Sequence, residues 1–153
     1  MMNEIIKSSF TEESISVQLH LQIIQNLIQR MAANSANCKI WCITIVSAIL
    51  VLIADIDNPD ITLLPIFPII VFFCLDVYYL SLEKRFRHQY NNFITKLHES
   101  NLCSKDLYNI STGKRSFLIV YKSMISFSIW PFYLMLIVLV VVAKFLIFTN
   151  PTC

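Results

Sequence analysis

A single glycine in 153 residues leaves no material for the glycine-rich loops that cradle phosphates, and neither a GxGxxG nor a Walker pattern occurs. Charge is scarce as well. Only 14% of the residues are Asp, Glu, Lys or Arg, against roughly 25% in soluble domains. A net charge of +2 is too small to point to nucleic acid. Metal-ligand spacing is absent: His20, His88 and His98 are scattered, CxxC does not occur, and Cys38 with Cys42 has no histidine nearby in sequence. That cysteine pair reads as small apolar filler, and Cys74 is expected to be buried. An enzyme would need a nucleophile with its base or several convergent polar ligands, so no catalytic residue, metal or cofactor is expected.

What the chain does have is apolar length, with 56% hydrophobic residues and a mean hydropathy of +0.63. Two apolar runs, 40–54 and 61–82, are joined by the hexapeptide DIDNPD at 55–60, which carries three carboxylates and no Lys or Arg. It can do little more than turn the chain around between two membrane-length helices. A third run, 130–148, contains one charge, Lys144. Residues 40–54 alone would cover only about 22 Å of a hydrocarbon core roughly 30 Å thick, so the first helix should draw on residues 36–39 as well. The fold class expected is an all-α membrane protein with three transmembrane helices, the first two forming a long antiparallel hairpin extended into the cytoplasm. No secretory signal peptide is expected, since the first apolar run begins near residue 40.

Basic residues set the orientation, because insertion keeps them cytoplasmic in short flanks. Of the 12 Lys and Arg, all but Lys144 lie before the first run or between the second and third. The amino terminus is therefore predicted cytoplasmic and the carboxyl terminus external, in a multi-pass protein of the cell inner membrane. Trp41 and the cluster from Trp130 to Tyr133 would fall at the inner interface, where aromatic belts sit. The domain reading is a cytoplasmic amphipathic helix (1–37), a transmembrane hairpin (38–82, with spans 38–54 and 61–82), a cytoplasmic helix, loop and interfacial segment (83–128), and a third transmembrane helix (129–149). Residues 117–128 fit either an interfacial helix or an extension of the third span, with Pro131 as a kink.

The flanks carry heptad seams. Val17, Leu21, Ile24, Ile28 and Met31 step by 4, 3, 4, 3, and Phe86, Tyr90, Phe93 and Leu97 by 4, 3, 4. Pairing is predicted between Leu21, Ile24 and Ile28 on one side and Phe86, Tyr90 and Phe93 on the other. A membrane-surface helix is the alternative, but residues 15–29 contain no Lys or Arg, in which such helices are rich. A capping box at 9–12 predicts a helix start near residues 10–14.

An ionisable residue inside a span is the usual pointer to function, and Asp76 is the candidate. It lies about 9 Å inside the cytoplasmic end of the second span by helical rise. Lys39 is the best-placed partner, with Arg30 deeper and Tyr79 as a donor one turn on. The pair would fix helix register, or serve a proton, ion or gating site.

The stretches QNLIQRMAANSANCKIW (25–41) and LDVYYLSLEKRFRHQY (75–90) resemble a widespread group of small, uncharacterised bacterial inner-membrane proteins. The matching positions are Arg30, Met31, Ala32, Asn34, Ser35, Lys39 and Trp41, then Leu75, Asp76, Tyr78, Tyr79, Leu80 and Glu83. The resemblance covers about residues 20–95 and implies a bacterial membrane hairpin without an assigned reaction. Arg30, Asn34, Lys39, Asp76, Tyr79 and Glu83 are expected to form a polar collar at the inner interface. The function expected is a small oligomer-forming membrane protein that perturbs the bilayer under control of its cytoplasmic helices; by fold-level analogy this is the layout of bacterial antiviral defence effectors. The alternative is a passive scaffold or assembly subunit of a larger membrane complex, and, third, an ion or proton carrier. The partners implied are the lipid bilayer, further copies of the chain and a cytoplasmic protein.

Overall fold

The computed structural model describes residues 12–56, 61, 63–103, 105–110 and 117–149. Four α-helices account for the secondary structure: α1 (Ile15–Ile56), α2 (Ile66–His98), α3 (Phe117–Met124) and α4 (Trp130–Thr149), and no strand occurs among the described residues. The capping-box residues 9–11, the turn residues 57–60 and Cys153 lie outside the described residues.

α1 begins one residue later than the predicted window. Ser14 takes the cap position, its carbonyl accepting the Val17 and Gln18 N–H groups at 3.0 and 3.1 Å. The helix then runs 42 residues without a break, about 63 Å at 1.5 Å per residue. Residues 37 and 38 thus mark a change in side-chain polarity within one helix, and so do residues 82 and 83 in α2. α2 starts five residues later than the apolar run that predicts it. The cause is proline: Pro65 is its N-cap and Pro68 falls in its first turn, the positions where a missing N–H and a fixed φ do no harm. Residues 117–128 resolve into a separate helix, α3, and a turn, with the Ser126 carbonyl accepting the Ile129 and Trp130 N–H groups. Pro131 sits in the first turn of α4 and kinks nothing.

α1 and α2 pack along most of their length. The heptad seam read at Val17–Met31 continues along α1: after Val17, His20 and Ile24 come Ser35, Cys38, Cys42, Val46 and Ile53, all buried. Its partner on α2 comprises Ile69, Asp76, Val77, Leu80, Phe86, Phe93 and Leu97. Two apolar clusters result. One joins Cys42, Val46, Ile69, Val77 and Leu80 to Ile129, Tyr133, Leu136 and Val140, so that α4 closes over the groove between α1 and α2. The other, at the far end, joins Val17, Phe93 and Leu97 to Leu102. Outward faces stay bare: Trp41, Val51, Leu52, Phe67, Met135, Phe145 and many others are exposed. Cys74 is exposed rather than buried, because Asp76 and Val77 take the inward face and leave Cys74 to the opposite side of the helix.

Candidate functional site

The middle of the seam holds an ion pair among apolar side chains. Asp76 is fully buried, and its Oδ2 lies 2.6 Å from Lys39 Nζ, whose side chain is 20% exposed. Ser35 donates its hydroxyl to Asp76 Oδ1, and Lys39 Nζ donates to Ser35 Oγ at 3.3 Å. Helical geometry explains the triad, since Ser35 and Lys39 are four residues apart and share a face. The antiparallel return of α2 brings Asp76 opposite both. α4 contributes a fourth group: the Tyr133 hydroxyl is buried beside Asp76, Cys42 and Cys38. Phe73 and Phe132 pack edge-on against the Tyr133 ring at 5.3 and 5.1 Å and hold it in place.

The remaining collar residues are elsewhere. Arg30 is exposed, Asn34 is half-buried, Tyr79 meets Tyr78 edge-on, and Glu83 pairs with Arg87 at 2.8 Å. The expected ring of six therefore reduces to Lys39 and Asp76, joined by Ser35 and Tyr133. Arg30 lies nine residues before Lys39 and so on the opposite face of α1, while Glu83 lies seven residues beyond Asp76, about 10 Å along α2, and is held by Arg87. Among the described residues no cluster of His, Cys, Asp and Glu could hold a metal.

Of the residues predicted to pair near the tip, Ile24, Phe86 and Phe93 are buried and Leu21 packs against the Phe93 cluster. Ile28 and Tyr90 are half-buried and line a shallow groove with Gln25 and Arg87. Gln25 donates to the Tyr90 hydroxyl at 3.2 Å.

A buried histidine closes the tip. His20 rests on Phe93, with ring centroids 4.4 Å apart, and its Nδ1 accepts the Tyr108 backbone N–H at 3.0 Å. That bond helps hold Tyr108 at φ 59°, a left-handed conformation that costs a non-glycine residue about 1 kcal/mol. Asp106 fastens the same loop, accepting from Lys96 Nζ at 2.8 Å and from the Cys103 N–H at 3.1 Å. Burial pushes His20 below its ordinary value of 6.5, and the nearby Asp106 opposes this only in part. A neutral ring suits the geometry, because a protonated Nδ1 cannot accept. The folded value being the lower one, the stability His20 contributes is complete above pH 6.5 and is lost as the pH falls through the folded value. Asp106, held below its ordinary 3.8 first by the Lys96 bond and next by the Cys103 N–H, acts only in a more acidic window. Protease cleavage within 101–110 should therefore accelerate between pH 7.5 and pH 5, and His20→Phe should remove that dependence. An unchanged rate, or slower cleavage at pH 5, would contradict the latch.

Compared with known protein families, curated proteins and solved structures, the chain has no match.

Proposed function

We propose that this chain is a multi-pass helical protein of a bacterial inner membrane that self-associates and perturbs the bilayer when its cytoplasmic hairpin is engaged. The observation that carries the proposal is the ion pair of Lys39 and Asp76, set on a seam shared by two continuous helices whose outer faces are bare and apolar. α1 and α2 are both long and apolar enough to cross a membrane, and only 22% and 28% of their most apolar windows are buried within the chain. A core helix of a water-soluble protein would be mostly covered. Soluble monomers rarely expose contiguous apolar patches beyond a few hundred Å2, so lipid or further copies of the chain are the natural cover. α4, a shorter apolar helix, serves as the third span in this reading.

A charged seam residue gives the membrane part something to switch. On the side of the pair away from the tip, the seam continues through Val46, Ile53 and Ile69, which are apolar. In this reading leakage arises between several copies, with the pair remade between them. The helices run unbroken from His20 to Ser35 and from Asp76 to Phe93. A partner that prises apart the tip would thus act directly on the pair's register.

A passive scaffold subunit is the second reading, favoured by the fact that Asp76 is already held within the chain by Ser35 and Lys39. Membrane potential separates the two. Expression of the chain in bacteria should depolarise the cells and arrest growth, whereas a scaffold leaves the potential unchanged. In intact cells with normal potential, an impermeant thiol reagent should also leave the exposed Cys103 unmodified; labelling there would reverse the proposed orientation.

A further inference from the structure

α3 presents a surface that no other described residue covers. Ser123 is its buried residue, while Phe117 and Leu118 are 91% and 71% exposed and Phe127, in the turn that follows, is 89% exposed. Cations flank this surface. Lys84 Nζ donates to the Lys122 carbonyl at 3.3 Å, which brings two lysines to the junction of α2 and α3. They repel, and Lys122 together with a larger effect of burial lowers the Lys84 value against the pull of Glu83. Glu83 itself is held by Arg87. Lys114 and Arg115 precede α3 in the sequence. Depth agrees with the charge: Lys84 lies eight residues beyond Asp76, about 12 Å along α2, while exposed Trp41 is only two residues beyond Lys39 on α1.

We propose that α3 lies in the inner-leaflet interface and that Lys84 and Lys122 together hold the phosphate of an anionic glycerophospholipid. The inference rests on the membrane reading and adds a specific lipid to it. An apolar helix face between cations is the pattern that binds anionic membrane surfaces, with each basic residue adding to the attraction. A second copy of the chain fits the face poorly, since it would set lysine against lysine. A lipid meets both needs, placing acyl chains against Phe117, Leu118 and Phe127 and an anion between the lysines.

The test uses the full chain in nanodiscs of phosphatidylcholine, with and without phosphatidylglycerol, and counts by native mass spectrometry the lipids kept after detergent release. The wild type should retain phosphatidylglycerol. Lys84→Gln with Lys122→Gln should retain at least about 10-fold less, and Arg30→Gln with Lys105→Gln, an equal loss of charge elsewhere, should match the wild type. Helicity and thermal midpoint confirm that both double variants are folded. Equal retention in all three proteins overturns the site. Displacement of the lipid by low-millimolar inorganic phosphate overturns it too, by making it a free-anion site. A wild type that stays monodisperse without detergent or lipid overturns the membrane reading itself, and this is seen before any variant is made.

Discussion

Lys39→Met should weaken the protein by about 3–5 kcal/mol, because it leaves the Asp76 carboxylate buried without its cation. Asp76→Asn should cost less, about 1–2 kcal/mol, for two reasons. The amide oxygen can still accept from Ser35, and Lys39 is 20% exposed, so its ammonium can turn toward solvent. The double variant should lose less than the sum of the two, by about 1–3 kcal/mol, as coupled neighbours do. Thermal midpoints in detergent measure all three. Additive losses would mean that the pair contributes no coupling energy. Function divides the readings further. If the pair is a switch, Asp76→Asn should assemble normally and no longer depolarise cells; if it only fixes register, activity should fall in step with assembly. Full assembly with full activity in Asp76→Asn would sink both.

Ile24→Asp should destabilise the hairpin tip by about 3 kcal/mol or more, since it puts a carboxylate at a fully buried seam position. Leu19→Asp, five residues earlier on the same helix and exposed, should stay within about 0.5 kcal/mol of the parent. Phe93→Asp should resemble Ile24→Asp and in addition remove the ring on which His20 rests. Limited trypsin digestion at the exposed Arg87 and Lys96 reads the result: cleavage should speed up in the two seam variants and not in Leu19→Asp. Equal digestion in all of them would show that α1 and α2 do not depend on each other in this region.

Much of the architecture follows from patterns that need no tertiary information. The 4, 3 stepping from Val17 to Met31 and from Phe86 to Leu97 is a local record of which helix face is covered, because helical period alone sets it. The partner of Asp76 is equally constrained. One acid in an apolar run requires a cation, and a short return between antiparallel helices leaves Lys39 as the nearest. Ser35 is a different matter. A serine is small enough to occupy any face, and nothing in its type marks it as the second ligand of Asp76 until the two helices are docked. Tyr133 lies 57 positions beyond Asp76 and reaches the site only because α4 folds back over the groove. The sequence shows His20 only as one of three scattered histidines, because its partner is a backbone N–H that every residue but proline possesses, 88 positions away in a loop with no periodic signal.

The amino-acid sequence by itself determined that this protein is helical and that two long apolar helices dominate it. Hydrophobic period and length carry that information within each segment. Only the tertiary structure decided the rotation and register of the helices, and with them the group that surrounds Asp76, the exposure of Cys74, the break between α3 and α4 and the histidine latch at the tip. Those depend on the angle at which one helix meets another. Many side chains along a stripe are compatible with contact, and the packing of whole faces, summed over many weak dispersion contacts, selects among them.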